Sequence, residues 1–180
     1  MRHLRTFVPV IALGLAVGGF GAAASADEVN VPMSLIAADG TQTPIGEIRA
    51  VDTPAGLVLE PSLSGLPAGE RGFHLHEHGD CAPQDKDDKH VAGLAAGGHW
   101  DPDATGQHLG PQGAGHRGDL PVLVVGADGK ATTPTPPAPR LQVADLHGRA
   151  LMIHAGGDNY ADTPQPLGGG GGRIACGVVP

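Results

Sequence analysis

The chain has 180 residues and a formal net charge of −8, with 30 glycines and 17 prolines against three phenylalanines and one tryptophan. An acidic balance without clustered Lys and Arg argues against nucleic acid as a partner, because phosphate binding needs a basic face. So much Gly and Pro approaches a disordered composition, but short runs with period-two apolar patterning recur between the turn residues and favour a folded, all-β chain.

Residues 1–26 read as a secretory signal peptide. Arg2 and Arg5 make a basic start, Phe7 to Phe20 is apolar or glycine apart from Pro9, and Ala24-Ser25-Ala26 supplies the small-residue cleavage pattern. The apolar run is short for a spanning helix, which needs about 20 residues, and nothing later in the chain resembles one. The domain then covers 27–180, enough for a single core. Its charge becomes −10, because residues 1–26 hold Arg2 and Arg5 but no acid. The expectation is an exported, periplasmic protein with no membrane partner.

Val29 to Ile36 sets Val29, Val31, Met33 and Leu35 on one face of a strand. Asp39-Gly40 marks a turn, and Ile45 to Val51 is the returning strand. Leu57 to Leu63, Gly72 to His76, Leu120 to Val125, Ala150 to His154 and Ile174 to Val179 are further predicted strands, and Asp128-Gly129 is a hairpin-type turn. About eight short strands with long irregular connections predict a Greek-key β-sandwich or a flattened eight-stranded antiparallel barrel. The connections 77–119 and 155–173 are too long for turns, and such loops are usually functional. Thr132 to Pro139, rich in proline, reads as a stiff connector.

Six histidines and one aspartate carry the chemistry: His74-x-His76, His99, His108, His116, Asp119 and His154. Strand alternation sends His74 and His76 to one face and Phe73 and Leu75 to the other, so the imidazoles face outward while the apolar pair joins the core. Leu151 to His154 repeats the design. Three imidazoles on two strands suit copper or zinc. In the glycine-rich loop, His108, His116 and Asp119 together with His99 make the four-ligand pattern of a structural zinc. If His99 also completed a four-histidine copper site, its ring would serve two cations as an imidazolate. Cys81 and Cys176 lie in an exported chain, where a disulfide is favoured over two free thiols.

The stretches GFHLHEHGDC (72–81), AGGHWDP (96–102), QHLGP (107–111), GHRGDLP (115–121), GRALMIHAGGDN (148–159) and PLGGGGGRIACGV (166–178) resemble the copper/zinc superoxide dismutases of the bacterial, exported type. The resemblance spans essentially the whole mature domain. It implies a Greek-key fold and disproportionation of superoxide as an antioxidant defence. It implies copper at His74, His76, His99 and His154, zinc at His99, His108, His116 and Asp119, and a Cys81–Cys176 disulfide. By the same resemblance Asp158 links His74 to His108, and Arg173 guides superoxide beside the copper, with His99 as the other catalytic residue. Relatives occur as monomers and as homodimers. Two rivals stand beside this reading: a non-enzymatic relative that binds or buffers metal, and a zinc hydrolase built on the strand histidines.

Other residues carry weaker expectations. His78 is a surface histidine or an auxiliary ligand, and His90 and His147 are solvated. Lys86 and Lys89 either add positive field near the site or pair with Asp85, Asp87 and Asp88 in a solvated loop. Trp100 is expected to pack against a loop and Tyr160 to shape a channel wall. The run Gly168 to Gly172 is expected to allow close backbone approach near Arg173.

Overall fold

The computed structural model describes residues 27–180, so the expected signal peptide, with His3, lies outside the described residues. The strands are β1 (Glu28–Ile36), β2 (Gln42–Thr53), β3 (Gly56–Leu63), β4 (Gly69–Arg71), β5 (Phe73–His76), β6 (Gln84–Lys86), β7 (Lys89–Val91), β8 (Leu123–Val125), β9 (Ala150–His154) and β10 (Arg173–Val178). Among the described residues, only short helical turns accompany them, at Leu94–Ala96, Val143–Leu146 and Leu167–Gly169.

Six strands form one antiparallel sheet in the order β3-β2-β1-β10-β9-β5, so the first and last described strands pair, β1 with β10. The β4–β8 pair adds Leu123 and Val125 to the same core that holds Val31, Ile48, Leu59, Phe73, Leu75, Leu151 and Ile153. These eight strands are the curled antiparallel fold the patterning predicts. The hairpin β6–β7 is a separate excursion inside the 77–119 connection, and its polar residues QDKDDKH gave no period-two signal. Lys86 and Lys89 face each other across it, exposed, while Asp85 pairs with His90.

Alternation explains the inward set and its one irregularity. Val31 and Met33 are buried on β1 between exposed Asn30 and Pro32. On β2 the buried positions are Ile45, Ile48 and Ala50, a spacing that strict period two forbids. The register jumps there: Met33 faces Gly46 and Ser34 faces Pro44, which leaves Ile45 as the extra residue of a β-bulge and turns it inward.

Both edges of the main sheet are covered. Beyond β3, Leu57 bridges to Ala138 and Leu63 to Ala131, so the proline-rich connector runs along that edge. Beyond β5, His74 bridges to Asp119 and His76 to His99. The Trp100 N–H donates to Leu75 O at 2.8 Å and the Leu75 N–H to Gly118 O at 2.9 Å. Gly118 lets that segment lie so close, since a Cβ there would come 2.2 Å from Leu75 O. Trp100 packs against the main core, with the guanidinium of Arg149, from the turn before β9, 4.1 Å above its ring centroid.

Candidate metal centre

β5 and β9 carry the strand imidazoles. His74 sits opposite Met152 and His76 opposite Ala150 in the β5–β9 register, while Arg173 on β10 is paired with His154. The outward face expected for these histidines is not solvated. The two long connections close over it and leave His74 0% and His76 1% exposed. The ligands expected from the loop are held by strand-like pairing as well, through the bridges of His99 and Asp119 to β5. Sequence patterning showed the outward direction of the side chains, but not what covers them.

Among the described residues, donor atoms gather in two sets of four, His74, His76, His99 and His154, and His99, His108, His116 and Asp119, with a smaller group of His74, His108 and Asp158 between them, the atoms of each within 4.8 Å of one another. His99 belongs to both sets of four. Its Nδ1 lies 3.0 Å from Asp119 Oδ1, which turns Nε2 toward the four-imidazole set. No carboxylate belongs to that first set, which removes the general base that the hydrolase rival requires.

Hydrogen bonds fix which nitrogen of each ring faces inward. His76 Nδ1 donates to Gly97 O at 3.0 Å and His154 Nδ1 to Gly171 O at 3.2 Å, leaving the two Nε2 atoms 3.4 Å apart as facing lone pairs. His74 Nε2 and His108 Nε2 each donate to one oxygen of Asp158 at 2.7 Å. The Asp158 side chain is fully buried and also accepts the Tyr160 N–H at 2.8 Å, so it links the two sets instead of forming a third. The bonds place His74 Nδ1 and His108 Nδ1 inward; His74 Nδ1 is buried without a hydrogen bond, while His108 Nδ1 lies 2.9 Å from Asp119 Oδ1. A buried lone pair in that position is costly unless a cation takes it.

The distances around Asp119 Oδ1 in the second set are those a tetrahedral site allows. His108, His99 and His116 place Nδ1 at 2.9, 3.0 and 3.3 Å from Asp119 Oδ1. Zinc with bonds of about 2.0–2.1 Å spaces tetrahedral ligand atoms about 3.3 Å apart. Asp119 Oδ2 is engaged elsewhere, accepting the N–H groups of Leu109 and Gly110 at 3.1 and 3.2 Å. Residues and cation therefore fit, and the all-imidazole first set suits copper.

Burial, then the charge of neighbouring His99, holds His74 and His76 well below the usual imidazole range. Burial likewise lowers His99, and lowers His154 to about 4. Neutral at pH 7, His74, His76 and His154 offer lone pairs without losing a proton, whereas His99 must also give up its ring N–H to serve both sets. His108 is the exception: burial opposes its charge, but hydrogen bonds to Asp119 and Asp158 win and raise it to about 9. Burial also opposes ionisation of Asp119, and its bonds with His108 and His99 overcome that, holding the carboxyl well below its usual range. Cation uptake at the second set thus releases a proton at neutral pH.

Arg173 is half-buried beside the first set, its guanidinium donating to Gly93 O at 2.5 Å and to Gly97 O at 2.6 Å. Gly97 O thereby orients both His76 and Arg173. Backbone acceptors such as Gly97 and Gly171 leave no trace in a sequence, which is why reading side chains missed them. The glycine run makes its close approach at Asp158 instead of Arg173. Gly168 has φ +69, and a Cβ there would lie 1.9 Å from Asp158 Oδ1 and 2.7 Å from His108 Nε2. Gly168→Ala should push Asp158 off both rings and weaken cation binding about ten-fold or more, read by chelator competition. Unchanged affinity would show that the linkage is dispensable.

His78, His90 and His147 are exposed and belong to neither set, so His78 is the surface histidine. Tyr160 is a brace more than a wall: its hydroxyl accepts the Val122 N–H at 2.9 Å and its ring lies against Gly110. Cys81 and Cys176 form a disulfide that ties the 77–119 connection to β10.

Comparison with known proteins gives one consistent answer. Residues 45–179 match the sequence family described as copper/zinc superoxide dismutase (SODC). The chain is 49% identical over 176 residues to a superoxide dismutase [Cu-Zn] of Escherichia coli, covering 97% of this chain and 98% of that one. The fold superposes on a Cu/Zn superoxide dismutase from Brucella abortus with a TM-score of 0.83 at 46% identity, over 86% of this chain and 100% of that one. It superposes on the monomeric copper, zinc superoxide dismutase from Salmonella enterica with a TM-score of 0.76 at 52% identity, over 86% and 100%.

Proposed function

Because the chain belongs to the copper/zinc superoxide dismutase family, and its reaction is the conversion of superoxide to dioxygen and hydrogen peroxide, we propose a specific division of labour among its residues. Copper is held by His74, His76, His99 and His154, and zinc by His99, His108, His116 and Asp119. The observation that carries this assignment is the position of His99 in both donor sets.

Bound copper supplies the one-electron chemistry, by which one superoxide is oxidised and the next reduced. The protein's own groups do the rest. The carbonyls of Gly97 and Gly171 and the Asp158 carboxylate fix His76, His154 and His74 in the tautomers that face inward. His99 Nε2 carries a proton in one half of the cycle and gives it, together with a second proton from water, to the departing peroxide in the other, while Nδ1 stays fixed on the Asp119 side. Arg173 draws the anion in.

A net charge of −10 over residues 27–180 opposes an anionic substrate. Superoxide dismutase is itself the general example of steered, diffusion-limited catalysis. The resolution is range: with a Debye length of about 8 Å, remote acids are screened while Arg173 acts at contact. Arg173→Ala should keep its copper and lose roughly ten-fold in kcat/KM, with a weaker dependence on salt. Wild-type turnover at low ionic strength would remove Arg173 from this role.

We further infer that 1–26 is a cleaved signal peptide and that 27–180 works outside the cytoplasm, in the periplasm. The Cys81–Cys176 disulfide and the bacterial relatives support this reading. Of the two oligomeric states, monomer and homodimer, the monomer is proposed. The Salmonella enterica relative is monomeric, and the exposed large apolar residues Leu109, Val124, Leu167 and Val178 sit on four different segments. The deciding experiment measures copper and zinc per chain, then superoxide loss with and without copper. A fully metallated chain without turnover would return the metal-buffering rival.

A further inference from the structure

The loop carrying His108 and His116 is gripped from outside the donor sets. Arg140 reaches it from just beyond the proline-rich connector, and its Nη1 donates to Gly113 O at 2.5 Å and to Gly115 O at 2.8 Å. Gly115 immediately precedes His116. Arg140 Nη2 also lies 3.6 Å from Asp103 Oδ2. Asp103 in turn accepts from Arg117 Nε at 2.9 Å and from its Nη2 at 3.2 Å, and Arg117 immediately follows His116. One Arg–Asp–Arg group therefore holds the backbone on both sides of a single donor residue. None of its members belongs to a donor set.

The need for such a grip is plain from the loop's composition. Residues 111–115, Pro-Gln-Gly-Ala-Gly, offer almost no side chain to bury and have much backbone freedom to lose. The His116 N–H is tied to Gln107 O at 2.9 Å, so displacement of the His116 backbone would also disturb the segment that presents His108. The two arginines line an open cleft of about 510 Å³ with Asp52, Gln142 and Asp145, on water-facing ground where ion pairs add little to folding stability. Their bonds to the loop have another use.

We propose that Arg140, braced by Asp103, is a positioning residue for zinc. It holds residues 113–117 so that His116 Nδ1 stays with those of His99 and His108, and so raises affinity for zinc without acting on copper. This inference rests on the zinc assignment above, and its test separates the two. Mature wild-type, Arg140→Met and Arg140→Lys chains are titrated with zinc, copper and, as a spectroscopic probe of tetrahedral geometry, cobalt(II), each against a competing chelator. Arg140→Met should bind zinc about ten-fold more weakly, the lower end of the range for groups that orient ligands, with weakened cobalt bands and copper affinity held within about two-fold. Arg140→Lys, which keeps charge and donors, should recover most of the loss.

Unchanged zinc affinity and cobalt bands in Arg140→Met overturn the proposal. So does an equal loss of both metals, which would track stability alone. Should Arg140→Met fail to fold, Asp103→Asn replaces it, with zinc binding expected to weaken in the same direction and an unchanged value again overturning the idea. A wild-type chain that takes up neither zinc nor cobalt at this set sinks the assignment itself, and the proposal with it.

Discussion

His154→Ala should cut superoxide turnover by roughly 10³-fold or more while leaving zinc bound. His154 belongs to the copper set alone, and its Nε2 faces that of His76 at 3.4 Å. The metal performs the electron transfer, so a chain that holds copper poorly loses the reaction along with the ligand. The strand itself should survive. β9 is paired on both sides, with β5 and with β10, and the His154 N–H remains bonded to Gly72 O at 2.8 Å. Metal content by mass spectrometry beside an activity assay reads the result. Near-normal turnover with copper retained would mean that the donor set has been assigned wrongly.

Removing the disulfide is the second large effect. Cys176 lies on β10 opposite Met152 and Ser34, and Cys81 stands 95 residues earlier in a connection with little pairing of its own. Closing a loop of that length restricts the unfolded chain by about 4–5 kcal/mol in the chain-entropy description. At roughly 2–4 °C per kcal/mol for a domain of this size, reduction or Cys176→Ser should lower Tm by about 8–20 °C at matched metal content. Activity should fall too, because the tethered connection carries Gly93 and Gly97, whose carbonyls hold Arg173 and His76. Verified reduction with an unmoved Tm would refute the stabilising role.

The strands were legible where side chains alternate. Val31 and Met33 on β1, and Phe73 and Leu75 against His74 and His76 on β5, announce themselves because a strand presents alternate residues to opposite faces. The β6–β7 hairpin was not legible, since its exposed polar residues bury nothing and leave no period to read. The bulge at Ile45 escaped for a related reason. It breaks the very period that would reveal it, and only the partner strand shows which residue is extra.

The site divides along the same line. The kinds and order of the donor residues, two imidazoles on one strand face, a third on another strand, and a carboxylate three residues after a loop histidine, are properties of local spacing, so the chain's own text carries them. Three matters needed the folded chain: burial of both donor sets, the choice of nitrogen on each ring, and the grip of Arg140 on the loop before His116. Each depends on contacts between residues distant in sequence, many of them to backbone carbonyls. Every residue has such a carbonyl, so composition says nothing about which ones a fold will bring to bear.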